Sequence, residues 1–133
     1  MSDAAAPAFV PGYRYSAHWH VRPDMSPPHL PVHVLSTPWM LGLIEQTCHD
    51  AARPHLPEHH TLVGTGVTLT HSAPAREGST VVVAIEVLTI GRRMKFDAVV
   101  TLAADEDDDA HRPVEIGRAT MEMAVVDISR FGR

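Results

Sequence analysis

Only one stretch of the chain reads as a helix long enough to cover a core, TPWMLGLIEQTCHDAA from Thr37 to Ala52. At about 100° per residue, Gln46, His49, Asp50 and Arg53 fall on one polar side. Met40, Leu41, Ile44, Cys48 and Ala51 gather opposite. Thr37 ahead of Pro38 reads as an N-cap followed by proline at the first helical position. Pro54 and Pro57 end the helix near Arg53, because proline cannot donate to the ladder and disfavours the α region before it. The other patterned segments have the period of a strand. A single amphipathic helix must lie against the sheet those strands make, so the chain is expected to be an α+β layer fold.

The strands can be placed one by one. Tyr13 to Val21 alternates apolar with polar residues. Pro23 to Pro31 holds four prolines in nine residues and reads as irregular loop. Thr61 to His71 is rich in threonine and valine, and Ser79 to Ile90 is a β-branched run. Gly91-Arg92 forms a tight turn into Arg93 to Ala103, where Met94, Phe96, Ala98, Val100 and Leu102 share one side. Asp105 to Asp109 is an acidic hairpin loop, and Val114 to Asp127 is the last strand. The order is strand, helix, then four antiparallel strands, giving one sheet of about five strands. One helix covers only part of a face of that sheet. A second copy is expected to cover the rest, in a homodimer or higher homo-oligomer. Residues 1–11, rich in alanine and proline, are expected to be flexible, with residues 12–133 forming a single domain.

Composition excludes several function classes. No apolar run of about 18 residues is present, which argues against a membrane span. The formal charge of -5 and the lack of a basic block argue against a nucleic-acid partner. An anionic ligand would need a local cluster of arginines acting against that global field. MSDAAAPAFVPG lacks the basic start and apolar core of a signal peptide. The one cysteine, Cys48, fits a reducing, cytoplasmic setting and is expected to be buried and inert. His18 and His20 would share a strand face, and Glu58-His59-His60 follows the helix. A metal site needs further ligands at defined spacing, so no metal and no cofactor are expected.

Glu45 raises a separate question. It lies on the shoulder of the helix beside Gly42, His49 and Ala52, where small neighbours leave space for something to approach. The plainer reading is a boundary glutamate touching His49. Gly64-Thr65-Gly66-Val67-Thr68-Leu69-Thr70-His71 has two glycines within a strand, a mark of close backbone or ligand approach. His71 ends that strand at Ser72-Ala73-Pro74, and its plainer reading is a surface histidine.

Three blocks, TPWMLGLIE, GTGVTLTHSAPAREG and GRRMKFDAVV, resemble in sequence and order the fluoroacetyl-CoA-specific thioesterases and their broader relatives. The resemblance runs from about Tyr13 to Phe131. It implies the hotdog fold, a dimer with sites at the subunit interface, and an acyl-CoA substrate hydrolysed to a free acid and CoA. It implies that Thr37, Glu45 and His71 are catalytic and that Gly64 is the active-site glycine. The chemistry suits those residue types. A thioester needs a base or nucleophile, a proton carrier near neutral pH, and donors for the developing oxyanion.

Gly42, Gly64, Arg92, Arg93, Met121 and Met123 are further candidates for substrate contact. The arginines could meet CoA phosphates, or form an ordinary exposed turn. The methionines could line an apolar acyl pocket, or be plain core. They stand where relatives carry the histidine and arginine of a Gly-x-His-x-Arg pattern, and Pro31 stands near the place of a gating phenylalanine. Both departures argue against fluoroacetyl-CoA as substrate. Two other functions fit parts of the chain. A non-catalytic acyl-CoA binding or sensing dimer fits the departures. An enoyl-CoA hydratase fits Asp24-Met25-Ser26-Pro27-Pro28-His29, which resembles an Asp-x4-His element without its glycine and asparagine.

Overall fold

Five strands and one long helix follow in the expected order. They are β1 (Arg14–His20), α1 (Thr37–Ala52), β2 (His60–His71), β3 (Thr80–Thr89), β4 (Arg93–Leu102) and β5 (Val114–Asp127). The structure, a computed structural model, describes residues 8–103 and 114–131. The acidic hairpin expected at Asp105 to Asp109 lies outside those residues, as do residues 1–7 of the N-terminal segment. Within that segment Phe9 is packed, its ring stacked on His55 at a centroid distance of 4.6 Å.

All strand pairs are antiparallel, in the order β1-β3-β4-β5-β2. Strands β3, β4 and β5 are antiparallel neighbours in chain order, and β2 lies beyond β5 as an edge. The β-branched and alternating patterns explain which face is buried. Val81, Val83, Ile85 and Val87 of β3 turn inward with Met94, Phe96, Ala98 and Val100 of β4 and Met121 and Met123 of β5. Helix α1 lies on that face and adds Met40, Leu43, Ile44, Cys48, Ala51 and Ala52. Each fully buried aliphatic or methionine side chain here contributes about 1.5–3 kcal/mol. The opposite face carries paired charges, among them Arg14 with Glu86, Lys95 with Glu122 and Arg118 with Glu115.

The start of the helix differs from the sequence expectation. Ser36, not Thr37, is the N-cap, and its Oγ accepts from Trp39 N at 3.3 Å. A cap needs extended backbone and a side chain that reaches an amide three residues on. Ser36 has both, with ψ at 157°. Thr37 is therefore the first helical residue and Pro38 the second. Proline is harmless there because the first amides have no partner within the helix. The helix entrance is fixed from outside by Leu35 N to Ala75 O at 2.8 Å and Ser36 N to Met25 O at 2.9 Å. Thr47 is also buried; its hydroxyl donates to Leu43 O at 2.7 Å and accepts from Trp19 Nε1 at 3.0 Å. Among the described residues no helix is long and apolar enough to cross a membrane.

Candidate active site

Freed from capping, the Thr37 hydroxyl shares a hydrogen bond of 2.8 Å with His71 Nδ1 at the end of β2. Glu45 lies eight residues further along α1, about 12 Å up the axis. Its Oε2 accepts from Gly64 N at 2.9 Å. A Cβ at Gly64 would stand 2.9 Å from that same oxygen and 3.1 Å from Cδ, so glycine is what lets the carboxylate reach the backbone. The helix thus presents two prepared pairs to one edge strand, Thr37 with His71 and Glu45 with Gly64. Among the described residues no hydrogen bond joins the two pairs.

The spacing of β2 needs explanation. Gly64 and His71 are seven apart, and an odd separation puts two residues on opposite faces of a regular strand. A β-bulge at Thr65 removes the conflict. Gly64 faces Met123 and Gly66 faces Glu122, so two residues of β2 advance past one of β5. Beyond the bulge Val67, Leu69 and His71 lie opposite Met121, Ala119 and Gly117, on the helix side. Gly117 allows the close approach there. A Cβ on it would stand 2.5 Å from Thr70 O and 2.7 Å from Met40 Cε.

Glu45 is half-buried, and among the described residues no basic side chain forms an ion pair with it. Cys48 follows one turn later. Burial, with the negative charge of Glu45 adding to it, pushes its thiol up to about 12. It stays protonated at ordinary pH, and its side chain is buried, as expected. Gly42 is exposed, and a Cβ there would meet nothing within 4 Å.

The other expected site residues are scattered. Met123 is the Cα partner of both Gly64 and Met94, and Met121 of Val67 and Phe96. Both methionines are fully buried, so within one chain they form the packed floor beside Glu45. Arg92 borders a cavity past the C-terminal end of α1, while Arg93 alternates to the opposite sheet face. Asp24 is engaged by Arg22 through contacts of 2.9 Å and 3.1 Å, which explains its carboxyl being held below the usual range. His18 and His20 are exposed on the outer side of β1, and no group of described residues is arranged to hold a metal. The cap at Ser36 and the bulge at Thr65 were missed from sequence. Ser-Thr-Pro carries two possible caps, and the clue to the bulge is the odd spacing between glycine and histidine.

Along β2 the residues from Gly64 to Thr68 are exposed. Val67 turns to the helix side yet remains 41% exposed.

Comparison with known proteins decides the family. A family described as fluoroacetyl-CoA-specific thioesterase matches residues 21–129. The chain belongs to the fluoroacetyl-CoA-specific thioesterase family. Among curated family members, the fluoroacetyl-CoA thioesterase of Streptantibioticus cattleyicolor is 33% identical over 99 residues, 74% of this chain. That alignment spans 65% of the relative's length. The solved fluoroacetyl-CoA thioesterase FlK superposes with a TM-score of 0.78 at 29% identity, covering 94% of this chain and 93% of that one. A variant of FlK solved with fluoroacetate and CoA superposes at 0.75 with 30% identity, covering 91% and 98%. A thioesterase superfamily member from Thermus thermophilus, 23% identical with a TM-score of 0.75 over 95% and 89% of the two chains, shares the hotdog fold. The expected hotdog architecture, one long helix on a five-stranded antiparallel sheet, is therefore the observed one.

Proposed function

We propose that the chain is a cytoplasmic acyl-CoA thioesterase that hydrolyses a CoA thioester to the free acid and CoA, with Thr37, Glu45 and His71 as its catalytic groups. The observation that carries this reading is the Glu45 carboxylate, held by Gly64 N at 2.9 Å against a backbone with no side chain in the way. A carboxylate so positioned can attack the thioester carbonyl, or take a proton from the water that does. In the first route the C–S bond breaks as an acyl anhydride forms on Glu45, and water then opens that anhydride to the free acid. In the second, the activated water adds to the carbonyl and the C–S bond then breaks. In both, the departing CoA thiolate must be protonated. The Thr37–His71 pair of the same chain lies about 12 Å along α1 from Glu45. The proton carrier assigned to that thiolate is therefore the Thr37–His71 pair that a second copy brings across the β2 edge.

The oxyanion needs donors. Gly64 N is already bonded to Glu45. In the first turn of α1, Pro38 has no amide hydrogen, and Trp39 and Met40 donate to Ser36 Oγ and Ser36 O. The Thr37 amide is therefore the free first-turn donor, and the one assigned to the oxyanion is that of the second copy, beside its own hydroxyl.

Met121 and Met123 are the Cα partners of Val67 and Gly64 and are fully buried, so they shape an apolar floor beneath the site without meeting the acyl group directly. Such a floor favours an apolar acyl group over acetyl or fluoroacetyl. Each extra buried methylene contributes about 0.8 kcal/mol, roughly fourfold in binding. The site is completed by a second copy of the chain. The exposed edge of β2 and Val67 call for a partner strand, which would also cover Gly42 and Gly64.

The test is release of free thiol from acetyl-, fluoroacetyl-, butyryl-, hexanoyl- and phenylacetyl-CoA. The expected result is turnover, with kcat/KM highest on the longer or aromatic groups. Saturable binding without thiol release would make the chain a binding or sensing protein. A clear preference for fluoroacetyl-CoA would sink the specificity assignment alone.

A further inference from the structure

A cavity of about 710 Å3 opens past the C-terminal end of α1, between the segment after the helix, the β3–β4 turn and the end of β5. Its lining includes four basic side chains, His55, His60, Arg92 and Arg130, and one acid, Asp127. Asp127 is already engaged. It accepts from Ser129 N at 3.0 Å and from Ser129 Oγ at 2.7 Å, with Arg130 Nε at 3.8 Å. Arg92 forms no ion pair among the described residues. Met94 and Val125 give the same space an apolar floor. In a chain of formal charge -5 with its histidines counted neutral, Arg92 and Arg130 against Asp127 leave this space a local excess of positive charge working against the global field.

Position adds a second argument. His60 opens β2 and lines the cavity, and Gly64 lies four residues further along the same strand. Strand geometry separates them by about 13 Å. The cavity and the Glu45 carboxylate therefore stand apart by a distance of the order of an extended pantetheine arm.

We propose that this cavity receives the phosphate end of the CoA thioester, with Arg92 and Arg130 gripping the phosphates and Met94 and Val125 supporting the apolar part of the nucleotide end. The proposal rests on the thioesterase reading above. Arginine suits the task because its planar fork bonds phosphate oxygens in pairs. Arg93, on the other sheet face, takes no part.

The experiment compares an acyl-CoA with the pantetheine thioester of the same acyl group, which keeps the reacting bond and lacks the nucleotide. Arg92→Ala and Arg130→Ala should each raise KM for the acyl-CoA about tenfold. They should leave kcat, and both constants for the pantetheine ester, unchanged. Arg14→Ala, on the outer sheet face, should change neither substrate. Arg92 and Arg130 are exposed, so the variants are expected to fold. An unchanged KM for acyl-CoA in the Arg92→Ala/Arg130→Ala double variant would overturn the proposal, and so would equal losses on both substrates. If the wild-type chain hydrolyses neither ester, the thioesterase reading fails on its own. Calorimetric titration with free CoA then decides the cavity, since weakened binding in the double variant supports it and unchanged binding refutes it.

Discussion

Thr37 Oγ1 and His71 Nδ1, 2.8 Å apart, join the first residue of the helix to the last residue of an edge strand. The bond exists because Ser36 does the capping. The two neighbouring hydroxyls therefore have separable duties. Ser36→Ala should cost about 1 kcal/mol in urea denaturation. Thr37→Ala should leave the cap intact and lower turnover about a hundredfold. A Thr37→Ala variant that loses stability but keeps its turnover would reverse these roles.

Glu45→Gln should remove at least about a hundredfold of the activity while the denaturation midpoint hardly moves. The amide oxygen can still accept from Gly64 N, but it is neither basic nor nucleophilic. Gly64→Ala tests the same carboxylate from the other side. Its methyl would stand 2.9 Å from Glu45 Oε2, so the side chain must leave the backbone. Turnover should fall on a chain that remains folded. Wild-type turnover in Glu45→Gln would show that the chemistry is done elsewhere.

Cys48 supplies a pH signature. An ordinary thiol in the unfolded chain ionises near 9.0, and the native one only at about 12. The native state therefore holds the proton more tightly. Its stabilising contribution is complete below pH 9.0 and is lost as pH rises toward about 12. Cys48→Ala should flatten that part of the stability profile. A thiol reagent at pH 8 should leave the native chain unmodified and label it in urea. Rapid labelling of the folded chain would contradict the burial.

The edge of β2 predicts assembly. Light scattering should give about twice the 14.5 kDa of one chain. Val67→Lys places a charge on the 41% exposed valine beside the site, and should lower both the mass and the turnover. A monomeric wild-type chain that hydrolyses acyl-CoA would remove the partner from the mechanism.

Much of this was legible in the residues themselves. The β-branched run before Gly91 and the alternation after it place β3 and β4 without help, because burial of one face forces a period of two. The helix was found for the same kind of reason. Its first residue was not, since Ser36 and Thr37 have equal capping chemistry and only backbone geometry chooses between them. The pairing of Thr37 with His71 and of Glu45 with Gly64 depends on how an edge strand crosses a helix, which is a tertiary relation. Arg92 and Arg93 were indistinguishable as a dipeptide. Strand alternation sends them to opposite faces. Arg130 gave no signal until the end of β5 folded back beside the helix terminus.

The bulge at Thr65 acts as a parity switch. Ahead of it even-numbered positions of β2 face the helix, and after it odd-numbered ones do. Loss of the bulged residue leaves Gly64 and His71 six apart, an even separation that a regular strand carries on one face. A gain of one residue keeps both on the helix side only if the bulge is lost or a second one forms. With the bulge retained, His71 would turn to the outer face and Thr70 would take its place beside Thr37. The strand can therefore change length at the bulge and nowhere else without moving one of the two pairs, a constraint on how the family can diverge that no single residue carries.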